Sequence, residues 1–203
     1  MKKNQFDLVA PFYSTLVSIA FGKSLLKAQL TFLDEIEEES SVLVIGGGNG
    51  AILSHSSFNR ALSIDYLELS SKMIELAQSK GRHLENISFI NQDFFEHQGK
   101  YDLIICNFFL DCFNKADLLR AIKRLELLMN SGAKLIVTDF QDTGRKRHKW
   151  LVSLMVGFFQ ITVNLQADKL LDIQNELRQG FEKIKSESYK NDLIFSTIYK
   201  IDE

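Results

Sequence analysis

The sequence predicts a seven-stranded, mostly parallel sheet with helices on both faces. An antiparallel hairpin closes it at the C-terminal end, and a helical cap precedes it. Three observations predict this. Apolar blocks of strand length alternate with helix-compatible segments between residues 41 and 140, the rhythm of parallel strands joined by crossover helices. The first block, Val42-Leu43-Val44-Ile45, runs directly into Gly46-Gly47-Gly48-Asn49-Gly50. Near the C-terminus, two strand-like segments flank the short turn Lys190-Asn191-Asp192, so they are expected to pair antiparallel.

The length of 203 residues suits one domain with a sizeable core. A formal net charge of −2 gives no global attraction to nucleic acid or to anionic membranes. The two cysteines, Cys106 and Cys112, make no disulfide or metal framework. Both stand in apolar surroundings, as free thiols of a reducing cytosol do, so a cytoplasmic location is expected. The start of the chain lacks the apolar core of a signal peptide. No apolar run reaches the ~20 residues of a membrane-spanning helix.

Residues 6–36 read as helical, with Leu8, Phe12, Leu16, Ile19 and then Leu26, Leu30, Leu33 at helical spacing. Pro11 marks a start or kink. The acidic run at 34–39 reads as a solvated helix end and not as a metal site. The first strand, about 41–46, ends in the glycine turn. Ala51-Ile52-Leu53 behind it suits a helix, whose first N–H groups and dipole would face a ligand. Strand, glycine turn and helix together make a nucleotide-type site at the C-terminal edge of a sheet. Ala61-Leu62-Ser63-Ile64-Asp65 reads as the second strand. Ser70 then caps a helix through Met73, Ile74 and Ala77, which Gly81 stops. Ile87-Ser88-Phe89-Ile90-Asn91 is the third strand, followed by Gln92-Asp93-Phe94-Phe95. Tyr101-Asp102-Leu103-Ile104-Ile105-Cys106-Asn107 is the fourth. Asn114 with Asp117 opens an amphipathic helix to about Met129. Asn130-Ser131-Gly132 reads as a turn, and 134–140 as the fifth strand. Beyond it come a basic run at 145–149, Trp150 and an apolar stretch to Phe159. A helix over 168–179 is stopped by Gly180, and the two hairpin strands follow, 181–188 and 193–199.

In order and spacing, these motifs resemble the class I S-adenosylmethionine-dependent methyltransferases over roughly residues 40–200. Gly46-Gly47-Gly48-Asn49-Gly50 is similar to the family's Gly-x-Gly-x-Gly. Glu68-Leu69-Ser70-Ser71-Lys72-Met73 resembles its acidic residue after strand two and the helix start behind it. Asp93-Phe94 matches its acidic position after strand three, and Tyr101-Asp102 the start of its fourth strand. Residues 128–135 resemble its turn before strand five, and the final hairpin its strands six and seven. Ala10-Pro11-Phe12-Tyr13, with Phe21-Gly22, resembles the entry segment of the small-molecule, quinone and phospholipid branches. The family often carries an acid where this sequence has Val44.

The resemblance implies a Rossmann-like fold in one domain. It would have a helical cap at 1–39, a cofactor-binding core at 40–140, and a substrate-side segment with the terminal hairpin at 141–203. It implies S-adenosylmethionine as cofactor and S-adenosylhomocysteine as product. Gly46, Gly47, Gly48 and Gly50 would let the backbone approach the cofactor. Glu68 would accept from the ribose hydroxyls, with Asp65 as its rival, and Leu69 would follow it on the wall. Asp93 would accept from the adenine amine beside Phe94, and Asn107 would meet the methionine moiety. In-line positioning supplies most of the catalysis when the acceptor is already nucleophilic. A hydroxyl acceptor needs a base, for which Asp111, just beyond strand four, is the candidate.

Tyr13 and Trp150 are the candidates on the substrate side. The basic run before Trp150 reads either as a solvated loop or as an interfacial cap touching a membrane surface and an apolar acceptor. The expected reaction is methyl transfer to a small, hydrophobic or amphipathic molecule. Nucleic acid is not an expected partner, because no Asn/Asp-Pro-Pro-Tyr type of motif follows strand four. Two alternatives keep the fold: an aminopropyltransferase, suggested by the spermidine-synthase-like run Val42 to Gly48, and a non-catalytic cofactor-binding scaffold.

Overall fold

The computed structural model describes residues 23–145 and 170–202. Seven strands form one sheet: β1 (Ser41–Ile45), β2 (Ser63–Leu67), β3 (Ile87–Ile90), β4 (Tyr101–Asn107), β5 (Met129–Phe140), β6 (Phe181–Tyr189) and β7 (Ile194–Ile201). Their order is β3-β2-β1-β4-β5-β7-β6. The first five are parallel, and β7 runs antiparallel to both β5 and β6. Four helices are described: α1 (Ser24–Leu30), α2 (Ser71–Lys80), α3 (Lys115–Leu128) and α4 (Ile173–Leu177).

The central strands are apolar throughout because both of their faces are covered. Leu43 and Ile45, with Ile104 and Cys106, face the core built with Leu118, Ala121 and Leu125 of α3. Val42 and Val44, with Leu103 and Ile105, face the opposite core, with Leu33, Ile36, Ile74 and Ala77. Val44 is 1% exposed inside that apolar layer; an acid there would be desolvated.

The caps fall where the sequence puts them. Ser70 Oγ accepts from the Met73 N–H at 3.2 Å, and Asn114 Oδ1 from the Asp117 N–H at 3.0 Å. Asp102, at the base of β4, ties the strand to its neighbours. It accepts from Ser41 N–H (2.9 Å), Ser41 Oγ (2.6 Å) and Asn130 Nδ2 (2.7 Å). In the hairpin turn, Lys190, Asn191 and Asp192 all adopt positive φ.

Five expectations change, one of them the helix over 168–179, of which the described residues hold only Ile173–Leu177. The helix expected behind the glycine turn is absent: residues 51–54 form turns, and a 3-10 segment, Ser56–Arg60, follows. Ser54, His55, Ser56 and Ser57 offer the backbone side-chain partners that compete with a helix; His55 Nδ1 accepts from the Ser57 N–H at 3.4 Å. Between β3 and β4 lies a loop, so crossover helices follow only β2 and β4 among the described parallel connections. The continuous helix over 6–36 is not seen in its described part. After α1 the Thr31 hydroxyl bonds to the Lys27 carbonyl (2.9 Å), and a short 3-10 segment, Leu33–Glu35, follows; residues 6–22 lie outside the described chain. The turn at 130–132 is instead the start of β5, held there by Asp102 and by Lys100 Nζ on the Met129 carbonyl (2.9 Å).

Candidate functional site

Strand order reverses between β1 and β4, the point of an open α/β sheet where ligands bind beyond the strand C-termini. A cavity of about 360 Å³ lies there, between the ends of β1, β2, β3 and β4 and the start of α3. Its size is that of a small-molecule site.

Gly46 follows β1 with φ +59, and its N–H bonds back to Leu67 at 2.9 Å. A Cβ on Gly46 would come within 2.8 Å of the Phe109 ring, so only glycine permits this approach. Gly48 opens onto space free of the described residues, none of whose heavy atoms lies within 4 Å of a Cβ position. Its N–H donates to Glu68 Oε2 at 2.9 Å. Gly47 lies over the Tyr66 ring, and Tyr66 Oη donates to the Gly48 carbonyl at 3.2 Å. Gly50, at φ +72, faces Ala77 of α2, whose Cα a Cβ on Gly50 would approach to 2.8 Å; it packs on α2 and is not on the cavity wall.

Glu68 ends β2 on the cavity wall. Its second oxygen accepts from the Ser70 N–H at 2.9 Å, so two backbone donors fix the carboxylate plane. Asp65, its rival, points elsewhere: it accepts from Tyr101 Oη at 2.6 Å in mid-sheet and is not on the cavity wall. Leu69, Asp93 and Phe94 line the cavity. Asp93 Oδ1 accepts from the Phe95 N–H at 2.9 Å, which shapes the loop after β3.

Asn107, at the end of β4, is 7% exposed, and neither polar atom of its side chain has a hydrogen-bond partner among the described residues. Such orphaned groups are rare in a folded interior. Asp111 stands beyond the cavity wall, behind Cys112, whose Sγ lies 3.5 Å from Asp111 Oδ1. Burial raises Asp111 to about 6, and a hydrogen bond from Asp139 opposes the rise. Asp139 is fully buried. Burial first, and the neighbouring Asp111 second, push it well above the usual carboxylate range. The pair therefore holds a proton between them. Three backbone donors reach Asp139: Leu110 N–H (3.1 Å) and Asp111 N–H (3.2 Å) at Oδ2, and Phe140 N–H (2.8 Å) at Oδ1. Tyr13 and Trp150 lie outside the described residues, as does the basic run from residue 146 on.

The sequence reading assigned no site role to Asp139, Gln92, Phe95, Phe109, Phe113 or Arg120. Phe94, Phe109, Phe113 and Phe95 form a closed ring of edge contacts, with centroids 5.0–5.6 Å apart. Arg120 lies over the Phe95 ring at 4.1 Å. Among the described residues no cluster of His, Cys, Asp and Glu is arranged to hold a metal, and no helix is long and apolar enough to cross a membrane.

Residues 43–135 match the family model of the methyltransferase domain. Over 80 residues the chain is 38% identical to malonyl-[acyl-carrier protein] O-methyltransferase 2 of Ilyobacter polytropus; the match takes in 37% of this chain and 30% of that protein. Among solved structures, the N-methyltransferase NodS of Bradyrhizobium japonicum, bound to S-adenosylhomocysteine, superposes with a TM-score of 0.64. The identity is 14%, over 88% of this chain and 84% of that one. Magnesium protoporphyrin IX methyltransferase of Synechocystis, also with S-adenosylhomocysteine, gives a TM-score of 0.67 at 18% identity, over 97% of this chain and 96% of that one.

Proposed function

We propose that this chain, a class I S-adenosylmethionine-dependent methyltransferase in its fold and its domain match, transfers a methyl group to a small, apolar or amphipathic acceptor. One observation carries the reading: Glu68 stands at the end of β2 on the wall of the switch-point cavity, held there by Gly48 and Ser70. That is where a carboxylate must stand to accept from a ribose diol.

The other residues fit the same cofactor. The open space over Gly48 admits its tail, and the orphaned amide of Asn107 offers a donor and an acceptor to the methionine end. Asp93 on the cavity wall would accept from the adenine amine, and Phe94 and Leu69 supply apolar wall. The phenylalanine ring around the cavity supports an acceptor of low polarity. When bound, the cofactor supplies an electrophilic methyl on a sulfonium. The chain's part is to hold donor and acceptor in line and to exclude water. For a hydroxyl acceptor the proposed base is Asp111, which stands behind Cys112 of the cavity wall and would have to reach the acceptor past it. Its carboxyl, raised to about 6 by burial, is still ionised at neutral pH yet basic enough to serve.

Calorimetric titration with S-adenosylmethionine and S-adenosylhomocysteine tests the reading, with NAD and decarboxylated S-adenosylmethionine alongside. Micromolar binding of the first two is expected. Glu68→Ala removes charge-assisted hydrogen bonds worth about 1.5–3 kcal/mol, and so should weaken both by roughly 10- to 100-fold. No binding of either ligand would overturn the proposal. Preference for the decarboxylated ligand would replace it with aminopropyl transfer.

A further inference from the structure

A hydrogen-bonded line runs from the middle of the sheet to the cavity wall. Asp65 on β2 accepts from the Tyr101 hydroxyl at 2.6 Å. The Tyr101 oxygen lies 2.7 Å from His97 Nε2. His97 Nδ1 lies 3.4 Å from Gln92 Oε1, and Gln92 lines the cavity next to Asp93. Tyr101 and His97 are 5% and 4% exposed, and their rings stack at 22°.

The protons along this line can be counted. A phenol has one proton. Tyr101 gives it to Asp65, so Tyr101 must accept from His97, and the imidazole carries a hydrogen on Nε2. In neutral His97 the other nitrogen, Nδ1, is then a bare acceptor. Only the NH₂ of Gln92 can bond to it, so neutral His97 requires the amide turned over from the placement with Oε1 on Nδ1, with the carbonyl oxygen away from His97. In an imidazolium both nitrogens donate. Gln92 then faces His97 with its oxygen and turns its NH₂ away. The two ends of an amide have one shape, so the partners alone decide between them.

We infer that Gln92 is a base-recognition residue of the cofactor cavity, and that His97, fixed by Tyr101 and Asp65, sets it to offer an acceptor when neutral and a donor when protonated. The inference rests on the proposed cofactor. The adenine amine has two hydrogens; with Asp93 taking one, Gln92 Oε1, once turned away from neutral His97, would take the other. A base with a carbonyl at that position, such as hypoxanthine, needs the opposite polarity.

The groups facing His97 set the pH range. Asp65 approaches from β2 and Tyr101 from β4. Arg124 approaches from α3 and donates to the His97 backbone carbonyl. Burial is the largest influence and disfavours the imidazolium; Arg124 acts with it and Asp65 against it. The net effect holds His97 below its ordinary value, so the acceptor state prevails at neutral pH.

The test is calorimetric titration of the full chain with S-adenosylhomocysteine and S-inosylhomocysteine at about pH 8 and about pH 5, on either side of the histidine range. The preference for the adenine ligand should fall roughly three- to tenfold at the acid end, the weight of one hydrogen bond. Gln92→Leu should abolish that dependence. Gln92→Glu, an acceptor while ionised, should retain the preference. The ¹⁵N spectrum of His97 should show the Nε2–H tautomer near neutrality. An equal preference at both pH values, a preference unchanged in Gln92→Leu, or an Nδ1–H tautomer would overturn the inference. If neither ligand binds the wild type at any pH, the cofactor reading fails and this inference fails with it. Binding of S-adenosylhomocysteine without pH-dependent discrimination overturns the inference alone.

Discussion

Asp111 and Asp139 show how a single residue's chemistry depends on a neighbour distant in the chain. Asn107, the last residue of β4, pairs with Thr138 of β5, so Asp139, next along β5, meets the segment just beyond β4. A buried carboxyl and a partly buried one in contact cannot both ionise freely, and Asp111 is raised to about 6. A base must be deprotonated to act. With a hydroxyl acceptor, kcat/KM should therefore rise as pH increases through about 6. Asp111→Asn should remove that limb and lower kcat by roughly a hundredfold or more with little change in KM. A kcat within a few-fold of wild type would mean that the acceptor is already nucleophilic, with Asp111 serving only to hold its loop. Asp111 was legible in the sequence as the acid beyond the fourth strand. Asp139 was not, because nothing local separates it from an ordinary strand-end residue. The line from Asp65 through Tyr101 and His97 to Gln92 was hidden likewise: it comes together only when β2, β4 and the β3–β4 loop are in place.

At the scale of elements, what was legible was what is decided locally. Ser70 and Asn114 are cap residues whose partners lie three positions on. Gly81 ends α2 through a backbone bond to Ala77 (2.8 Å). The helix expected behind the glycine turn failed for a local reason too. Ala51, Ile52 and Leu53 suit a helix, but the serine-rich segment after them gives it no second turn. Two substitutions separate cap from packing. Ser70→Ala should lower unfolding free energy by about 1 kcal/mol in urea titration. It should leave α2 in place, since Ile74 and Ala77 stay buried. Gly50→Ala combines a left-handed backbone with a methyl 2.8 Å from the Ala77 Cα, and should cost more, roughly 1–3 kcal/mol. Equal costs would mean that the turn and α2 separate easily to admit the methyl group.

The whole sheet carries one asymmetry that the sequence does encode. β7 is buried along six of its eight residues, whereas β6 is exposed along most of its length. The apolar hairpin strand therefore docks on β5. The charged one, with Glu182, Lys183, Lys185 and Glu187, forms the edge, where such residues discourage pairing with other chains. The cavity shows the opposite kind of property. Its wall draws on Gly46, Glu68, Asp93, Phe109 and Arg120, which are adjacent only in the folded state. A ligand of this site therefore binds the native chain and not the unfolded one, and must stabilise the whole domain. At a hundredfold excess over Kd the gain is about 2.7 kcal/mol. For a domain of this size that raises the melting temperature by roughly 5–11 °C. S-adenosylhomocysteine should give such a shift and NAD none. In Glu68→Ala, a tenfold loss of affinity removes about 1.4 kcal/mol of the gain, about half of the shift at the same ligand concentration. A shift of equal size in wild type and variant would place the ligand somewhere other than the end of β2.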